Sequence, residues 1–195
     1  MPTTTSPPRF GIMTAPQQVG YHDVLRVWRE ADTIPEIEHA WLFDHLMPIA
    51  GDLDGPVHEG WTLPAALAAR TRRLRLGVLV TSNRFRPPAG PTLRVAAEHA
   101  DLWNIPGGDI DDVVSRSALL DRYCAEIGRD PASVTRSIHL PVSYDRPGPV
   151  RDAIGEAIDA GFRHIVLGLP APYPAGVARW IADELILRTV ERKAP

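Results

Sequence analysis

The chain has 195 residues, of which 44% are apolar and 23% charged, enough for one domain with a sizeable core. The net charge of -3, with acids and bases mixed along the chain, argues against a nucleic-acid or membrane-surface role. No apolar run approaches the roughly 18 residues of a membrane span, and segment 1–8 lacks the features of a signal peptide. We therefore expect a single cytoplasmic domain, 1–195, that begins with a disordered arm over 1–8.

The first half alternates short apolar runs with amphipathic stretches, which is typical of a parallel α/β fold. The pattern predicts strands at 10–15, 40–44 and 74–81 and helices at 21–33 and 62–71. Between the second strand and the second helix, segment 46–60 is rich in Gly, Pro and Asp and is predicted to be a polar loop.

The alternation stops at 84–91, where three prolines and a glycine favour neither a helix nor a strand. Beyond this junction the pattern predicts helices at 92–99, 109–127, 150–160 and 176–190 and strands at 101–105, 137–144 and 162–169. Asp109 is predicted to cap the start of its helix and Gly128 to end it. The single cysteine, Cys124, excludes an internal disulfide and is predicted to be a buried packing thiol in a reducing compartment.

Five short motifs occur in an informative order. They are Phe43-Asp44-His45, Gly60-Trp61-Thr62-Leu63, Arg73-Leu74-Arg75-Leu76-Gly77, Thr92-Leu93-Arg94 and Ala100-Asp101-Leu102-Trp103-Asn104. Each motif is common by itself, but in this order and at these spacings they resemble the luciferase-like monooxygenase superfamily. The resemblance is strongest to its deazaflavin-dependent branch, and it covers about 9–83 and 90–191.

The resemblance implies an eight-stranded TIM barrel with its cofactor at the carboxyl ends of the strands. This chain has only about six strand–helix units, and the fourth and fifth strands of the family are missing at 84–91. We therefore predict an α/β, shortened TIM-barrel-like fold. Six strands could close into a smaller barrel, or the sheet could stay open with strands 74–81 and 101–105 at its edges. An open sheet would favour a homodimer that covers those edges.

Asp44 and His45 are the candidate catalytic residues. A carboxylate beside an imidazole at a strand end offers an orienting group and a proton donor. From the residues alone, a loop cap and a packed histidine are the simpler explanation of the pair. The resemblance implies that this strand end lies beside the ring of a flavin or deazaflavin.

Five more residues are candidate cofactor ligands. The resemblance implies that Thr14, Thr81 and Asn83, which end strands, hydrogen-bond the cofactor ring, although ordinary loop chemistry also accounts for them. Thr92 and Arg94 open a helix, where free N–H groups and a guanidinium suit a phosphate, although an ordinary capped helix needs no ligand. The cofactor implied is FMN or 8-hydroxy-5-deazaflavin.

The seven histidines show no metal-ligand spacing, so no metal site is predicted. The resemblance implies an oxidoreductase that carries out hydride transfer or monooxygenation on a small organic substrate. The missing segment carries part of the family's cofactor site, so the alternative is a catalytically inactive scaffold or assembly protein built on the same fold.

Overall fold

Six parallel strands form one sheet in the computed structural model, which describes residues 6–81 and 92–193. The strands are β1 (Arg9–Thr14), β2 (Ile37–Asp44), β3 (Arg75–Thr81), β4 (Leu102–Pro106), β5 (Thr135–Pro141) and β6 (His164–Leu169). The helices are α1 (Tyr21–Ala31), α2 (Thr62–Ala68), α3 (Thr92–His99), α4 (Ile110–Glu126), α5 (Pro147–Asp159), α6 (Val177–Trp180) and α7 (Arg188–Lys193). Most of the predicted arm and the whole predicted junction lie outside the described residues.

The order of strands in the sheet is β3-β2-β1-β6-β5-β4, and every neighbouring pair is parallel. The first three strands form one sequential half and the last three the other, and the halves join where β1 pairs with β6. Within the described ranges, β3 and β4 each have only one neighbour. Among the described residues the sheet is therefore open with the two predicted edges, and β3 and β4 do not pair to close a smaller barrel. The shortened TIM-barrel-like α/β fold is confirmed.

The main core lies between the sheet and the helices. Helix α1 buries Val24, Leu25, Trp28 and Ala31 on one face, as its 3.6-residue spacing predicts. Alternate residues of the strands, such as Ile12 of β1, face the same core. The other set of alternate residues points away from the helices, onto what we call the inner face of the sheet.

Helix α3 packs against α4, where Ala97, Leu120, Cys124 and Val134 form a second buried cluster. Cys124 is fully buried, so the predicted packing thiol is confirmed. The side chain of Asp109 accepts hydrogen bonds from the backbone of α4, and Gly128 has a φ of 72° just after it, as predicted. No helix in ranges 6–81 and 92–193 is long and apolar enough to cross a membrane.

The C-terminal part of the chain departs most from the predicted elements. The strand predicted at 137–144 runs instead over Thr135–Pro141, and the chain then turns into α5 at Pro147. The helix predicted at 176–190 extends to Lys193 and contains a π-helical stretch, Ile181–Leu187, between α6 and α7. Apolar periodicity does not distinguish π from α winding over so short a stretch, because the buried stripe continues through both.

Candidate active site

The carboxyl ends of parallel strands lie on one rim of the sheet, which is where barrels of this architecture carry their active sites. Asp44 is the last residue of β2, is half-buried, and is in register with Thr81 of β3. A β-carbon at Gly60 would lie 2.6 Å from both Cα and Oδ1 of Asp44, so the glycine makes room for the carboxylate. The Asp44 side chain forms no hydrogen bond or ion pair with another described residue.

His45 follows Asp44 at the start of the loop after β2. Its ring is half-buried and lies 4.9 Å, centroid to centroid, from the ring of Phe43. An imidazole placed at the rim in this way can give or take a proton. The two predicted catalytic residues, which are neighbours in sequence, thus lie at the carboxyl rim of the sheet, and their catalytic role stays a prediction.

The loop after β1 holds the loop after β2 in place. The Gln17 side chain is buried; it donates to the carbonyl of Ala50 over 3.1 Å and accepts from the backbone N–H of Ile49 over 2.9 Å. The Gln18 side chain donates to the carbonyls of Ala50 and Asp52 over 2.9 and 2.7 Å. These bonds give the long loop that follows Asp44 a defined path along the rim.

The predicted cofactor ligands lie in different parts of the structure. Thr14 lies on the helix side of β1, fully buried, where its hydroxyl accepts a 2.9 Å hydrogen bond from Trp28 Nε1. The backbone of Thr81 ends β3 at the rim, and Asn83 lies outside the described residues. The observed contact of Thr14 is with the core, so its predicted role at the cofactor has no support from its position.

Thr92 and Arg94 belong to α3, the helix that packs against α4. The Arg94 guanidinium forms a 2.7 Å ion pair with Glu126 and lies 4.3 Å over the ring of Tyr123. Thr92 is the first residue of the helix. Arg94 therefore connects the two helices, and a phosphate would compete with Glu126 for its guanidinium.

A polar cluster that sequence reasoning missed covers the inner face of the sheet. The rings of His39 on β2 and His164 on β6 stack with 4.0 Å between centroids and 8° between planes, across the intervening β1. Trp41 Nε1 donates to His39 Nδ1 over 2.6 Å, and Ser137 Oγ lies 2.8 Å from His164 Nδ1. Asn104 Nδ2 on β4 donates to the same Ser137 hydroxyl over 2.7 Å. In the order of the sheet, the cluster extends from β2 across β1, β6 and β5 to β4.

Inner-face glycines make this packing possible. A β-carbon at Gly11 would overlap the ring and the backbone carbonyl of His39, and one at Gly77 would overlap the Trp41 ring. A β-carbon at Gly168 would overlap the ring of His139. Each large ring thus occupies the space beside a glycine of the neighbouring strand.

The two stacked histidines are neutral at ordinary pH. Burial, together with the charges of His164, Arg9 and Arg75, lowers the pKa of His39 to about 3, while burial and Arg9 lower the pKa of His164 to about 4. Both Nδ1 atoms accept hydrogen bonds when Ser137 donates to His164, and this arrangement requires neutral rings. Two neutral imidazoles can stack closely without repulsion.

His139 is a third inner-face histidine, half-buried on β5. Burial lowers its pKa, and its Nε2 is buried without a hydrogen-bond partner among the described residues. In the sequence, the position of His139 within a predicted strand is the only signal that could have indicated this histidine. Within 6–81 and 92–193, no three His, Cys, Asp or Glu side chains are grouped as a metal site would require.

Three solved structures share this architecture over nearly their whole length. An F420-dependent secondary alcohol dehydrogenase, in complex with an F420–acetone adduct, aligns with a TM-score of 0.77 and 10% identity, over 95% of this chain and 99% of its own. The coenzyme F420-dependent tetrahydromethanopterin reductase of Methanopyrus kandleri aligns with a TM-score of 0.71 and 12% identity, over 94% and 100%. Riboflavin lyase, with modified FMN and riboflavin, aligns with a TM-score of 0.67 and 11% identity, over 96% and 92%.

The similarity is one of fold. At 10 to 12% identity it supports the expected barrel-like architecture and assigns neither a family nor an activity. No protein-family model and no curated protein sequence matches the chain.

Proposed function

We propose that this chain is an oxidoreductase that binds a flavin or deazaflavin at the carboxyl rim of its sheet and acts on a small organic substrate. The main support is the end-to-end fold similarity to two F420-dependent enzymes and to a riboflavin lyase that contains modified FMN. The position of Asp44 and His45 at the end of β2 agrees with this proposal, because active sites of such folds lie at that rim.

The residues present fit the ring end of such a cofactor better than its phosphate end. At the ring end, Gly60 leaves space for the Asp44 carboxylate, which has no partner among the described residues, and His45 lies next to it. At the phosphate end, Arg94 is already paired with Glu126. We therefore expect weaker cofactor binding than a complete site would give.

In the proposed site the cofactor ring, when bound, supplies the hydride chemistry. Asp44 would accept a hydrogen bond from the bound substrate or cofactor ring, and His45 would hold or move a proton at an oxygen atom of the substrate. The loop held by Gln17 and Gln18 would border this side of the site.

Cofactor binding is the first prediction. Titration of the purified protein with FMN, and separately with 8-hydroxy-5-deazaflavin, should give saturable fluorescence changes and a raised melting temperature with one of the two. Gly60→Ala should weaken this binding about tenfold, because the β-carbon displaces Asp44. Gly108→Ala is the matched control, since a β-carbon at Gly108 meets no atom within 4 Å. A cooperatively folded protein that binds neither cofactor at millimolar concentration would contradict the proposal.

A second candidate function is that of a scaffold without catalytic cofactor. The ion pair and ring contact that tie Arg94 to α4 favour it, because they give the residue a structural role. On this reading, Arg94→Ala lowers the melting temperature but changes no cofactor titration. If Arg94 instead binds phosphate, the same substitution weakens FMN binding strongly.

Self-association is a second prediction, and we propose a homodimer that covers the strand edges. Strands β3 and β4 each expose one unpaired edge among the described residues, and open edges of apolar strands favour pairing with another chain. Light scattering should give twice the mass of one chain. Leu79→Lys, on edge strand β3, should shift the protein toward the monomer, whereas Val95→Lys, on the exposed surface of α3, should not. A monomer at 100 µM would exclude this arrangement.

A further inference from the structure

Exposed apolar side chains are concentrated in one loop of this molecule. Eight large apolar side chains are exposed in the described part of the chain, and five of them lie within 46–61, which we call the apolar rim loop. These are Leu46 (68% exposed), Met47 (55%), Ile49 (58%), Leu53 (60%) and Trp61 (58%). The other three, Val95, Ile127 and Val190, lie on or directly after three separate helices. Such clustering usually marks a binding surface.

The apolar rim loop is ordered by contacts that have no part in the hydrophobic core. Besides the side-chain bonds of Gln17 and Gln18, the backbone N–H of Gln18 donates to the carbonyl of Pro56 over 2.8 Å. His58 Nε2 lies 2.9 Å from the carbonyl oxygen of Val19. Gln18 adopts a φ of 54°, a left-handed conformation unfavourable for a residue with a β-carbon. The left-handed conformation of Gln18 costs free energy, and the loop that it anchors exposes apolar side chains to water.

The position of the loop points to a ligand at the rim. It begins at the residue after His45 and is anchored on the segment that follows β1, so both of its attachments lie at the carboxyl ends of adjacent central strands. In this architecture those ends surround the reaction site. A ligand bound beside Asp44 and His45 is therefore well placed to cover the exposed apolar side chains of this loop.

Size and charge disfavour two other occupants. A stable protein partner buries about 800 Å² on each side, over 20 to 30 residues, which five side chains of one loop do not supply. An anionic lipid surface is disfavoured because the loop carries Asp52, Asp54 and Glu59. A small ligand, by contrast, binds in lining that is mostly apolar with few polar groups.

We propose that the apolar rim loop binds the hydrocarbon or aromatic part of the substrate, and that the substrate is an uncharged organic molecule with a sizeable apolar portion. That this molecule is a substrate rests on the proposed oxidoreductase function, whereas its binding to the apolar rim loop does not. Gln17 and Gln18 pre-organise the loop, which lowers the entropy that a ligand would otherwise lose in ordering it.

The test uses a neutral apolar probe, N-phenyl-1-naphthylamine, without any cofactor. Its fluorescence should report saturable binding of one probe per chain. The double variant Leu46→Ser/Ile49→Ser should raise the Kd at least tenfold. The matched control is Ile127→Ser/Val190→Ser. It removes two exposed apolar side chains, one directly after α4 and one in α7, and should leave the Kd unchanged. No saturable binding, or equal loss in both double variants, would overturn the proposal.

A second variant distinguishes the effect of ordering the apolar rim loop from the effect of its apolar side chains. Gln18→Gly removes the side-chain bonds to Ala50 and Asp52 and relieves the left-handed strain, while all five apolar side chains remain. The melting temperature should change little, and the Kd for the probe should rise about threefold or more. An unchanged Kd would show that loop order plays no part in binding.

The mass of the protein and the cofactor titration separate the remaining outcomes. If the Leu46→Ser/Ile49→Ser variant turns a dimer into a monomer, a second copy covers the loop and the proposal is wrong. If the probe binds as expected and neither cofactor does, the oxidoreductase function fails and the apolar site stands. If a cofactor binds and the probe does not, only the present inference fails.

Discussion

Gly11→Ala is expected to destabilise the protein by about 3 kcal/mol, the upper end of the usual cost of overpacking. The added β-carbon would overlap the His39 ring and, more seriously, the His39 backbone carbonyl, which cannot rotate away. Gly11 and His39 are partners on the paired strands β1 and β2, so relief requires these central strands to separate. Urea unfolding followed by circular dichroism measures the change.

Two other glycines provide graded controls. At Gly168 the three atoms nearest to an added β-carbon all belong to the His139 ring, which can move, so Gly168→Ala should cost less than Gly11→Ala. At Gly108 an added β-carbon meets nothing within 4 Å, so Gly108→Ala should be close to neutral. Equal losses at Gly11 and Gly108 would show that the close packing of the inner face contributes nothing to stability.

Acidification from pH 6.5 to 4.5 is expected to lower the free energy of unfolding by about 2 kcal/mol for each of His39 and His164. Their pKa values in the folded protein, about 3 and about 4, lie below the ordinary value of 6.5. The unfolded chain therefore binds protons in this range while the folded protein does not. Stability is complete above pH 6.5, falls as the pH drops through this window, and stops falling from this cause once the folded rings protonate.

The physical cause is the inner-face cluster. Protonation at Nδ1 would break the hydrogen bonds from Trp41 and Ser137 and would place two cations in a stack with 4.0 Å between ring centroids. Arg9 and Arg75 add further positive charge. Ordinary carboxylates titrate mostly below pH 4.5, so the window reports mainly on histidine.

Substitution distinguishes the buried pair from the exposed histidines. Asparagine keeps a hydrogen-bond acceptor near the position of Nδ1 without a titratable ring, so His39→Asn/His164→Asn should flatten the pH dependence although it lowers stability at pH 7. His22→Asn, at an exposed position, should leave the slope unchanged. Urea midpoints between pH 4.5 and 7.5 provide the measurement, and an unaltered slope in the double variant would contradict the assignment.

Local chemistry explains which parts of the fold could be predicted. The buried face of α1 follows from helical spacing, and the two ends of α4 follow from the capping side chain of Asp109 and the conformational freedom of Gly128. The strand end that carries Asp44 and His45 follows from an apolar run meeting polar residues. These features depend on a few consecutive residues, which a single sequence contains.

Long-range pairing explains what could not be predicted. His39 and His164 are 125 residues apart, and they meet only because β1 lies between their strands with a glycine under the stack. Nothing near either histidine in the sequence indicates the other. Arg94 illustrates the same limit, since its position near a helix start suggested phosphate, whereas Glu126, on another helix, determines its actual contact. The predicted junction lies outside the described residues.

The pairing of β1 with β6 bears on how the chain folds. Their six in-register pairs join residues more than 150 positions apart, whereas all other strand neighbours are consecutive along the chain. The centre of the sheet therefore carries the largest loop-closure entropy, and its formation should limit the folding rate. A circular permutant, with a linker joining the C-terminal helix to β1 and new ends between β3 and α3, would make every pairing sequential and should fold faster to the same structure.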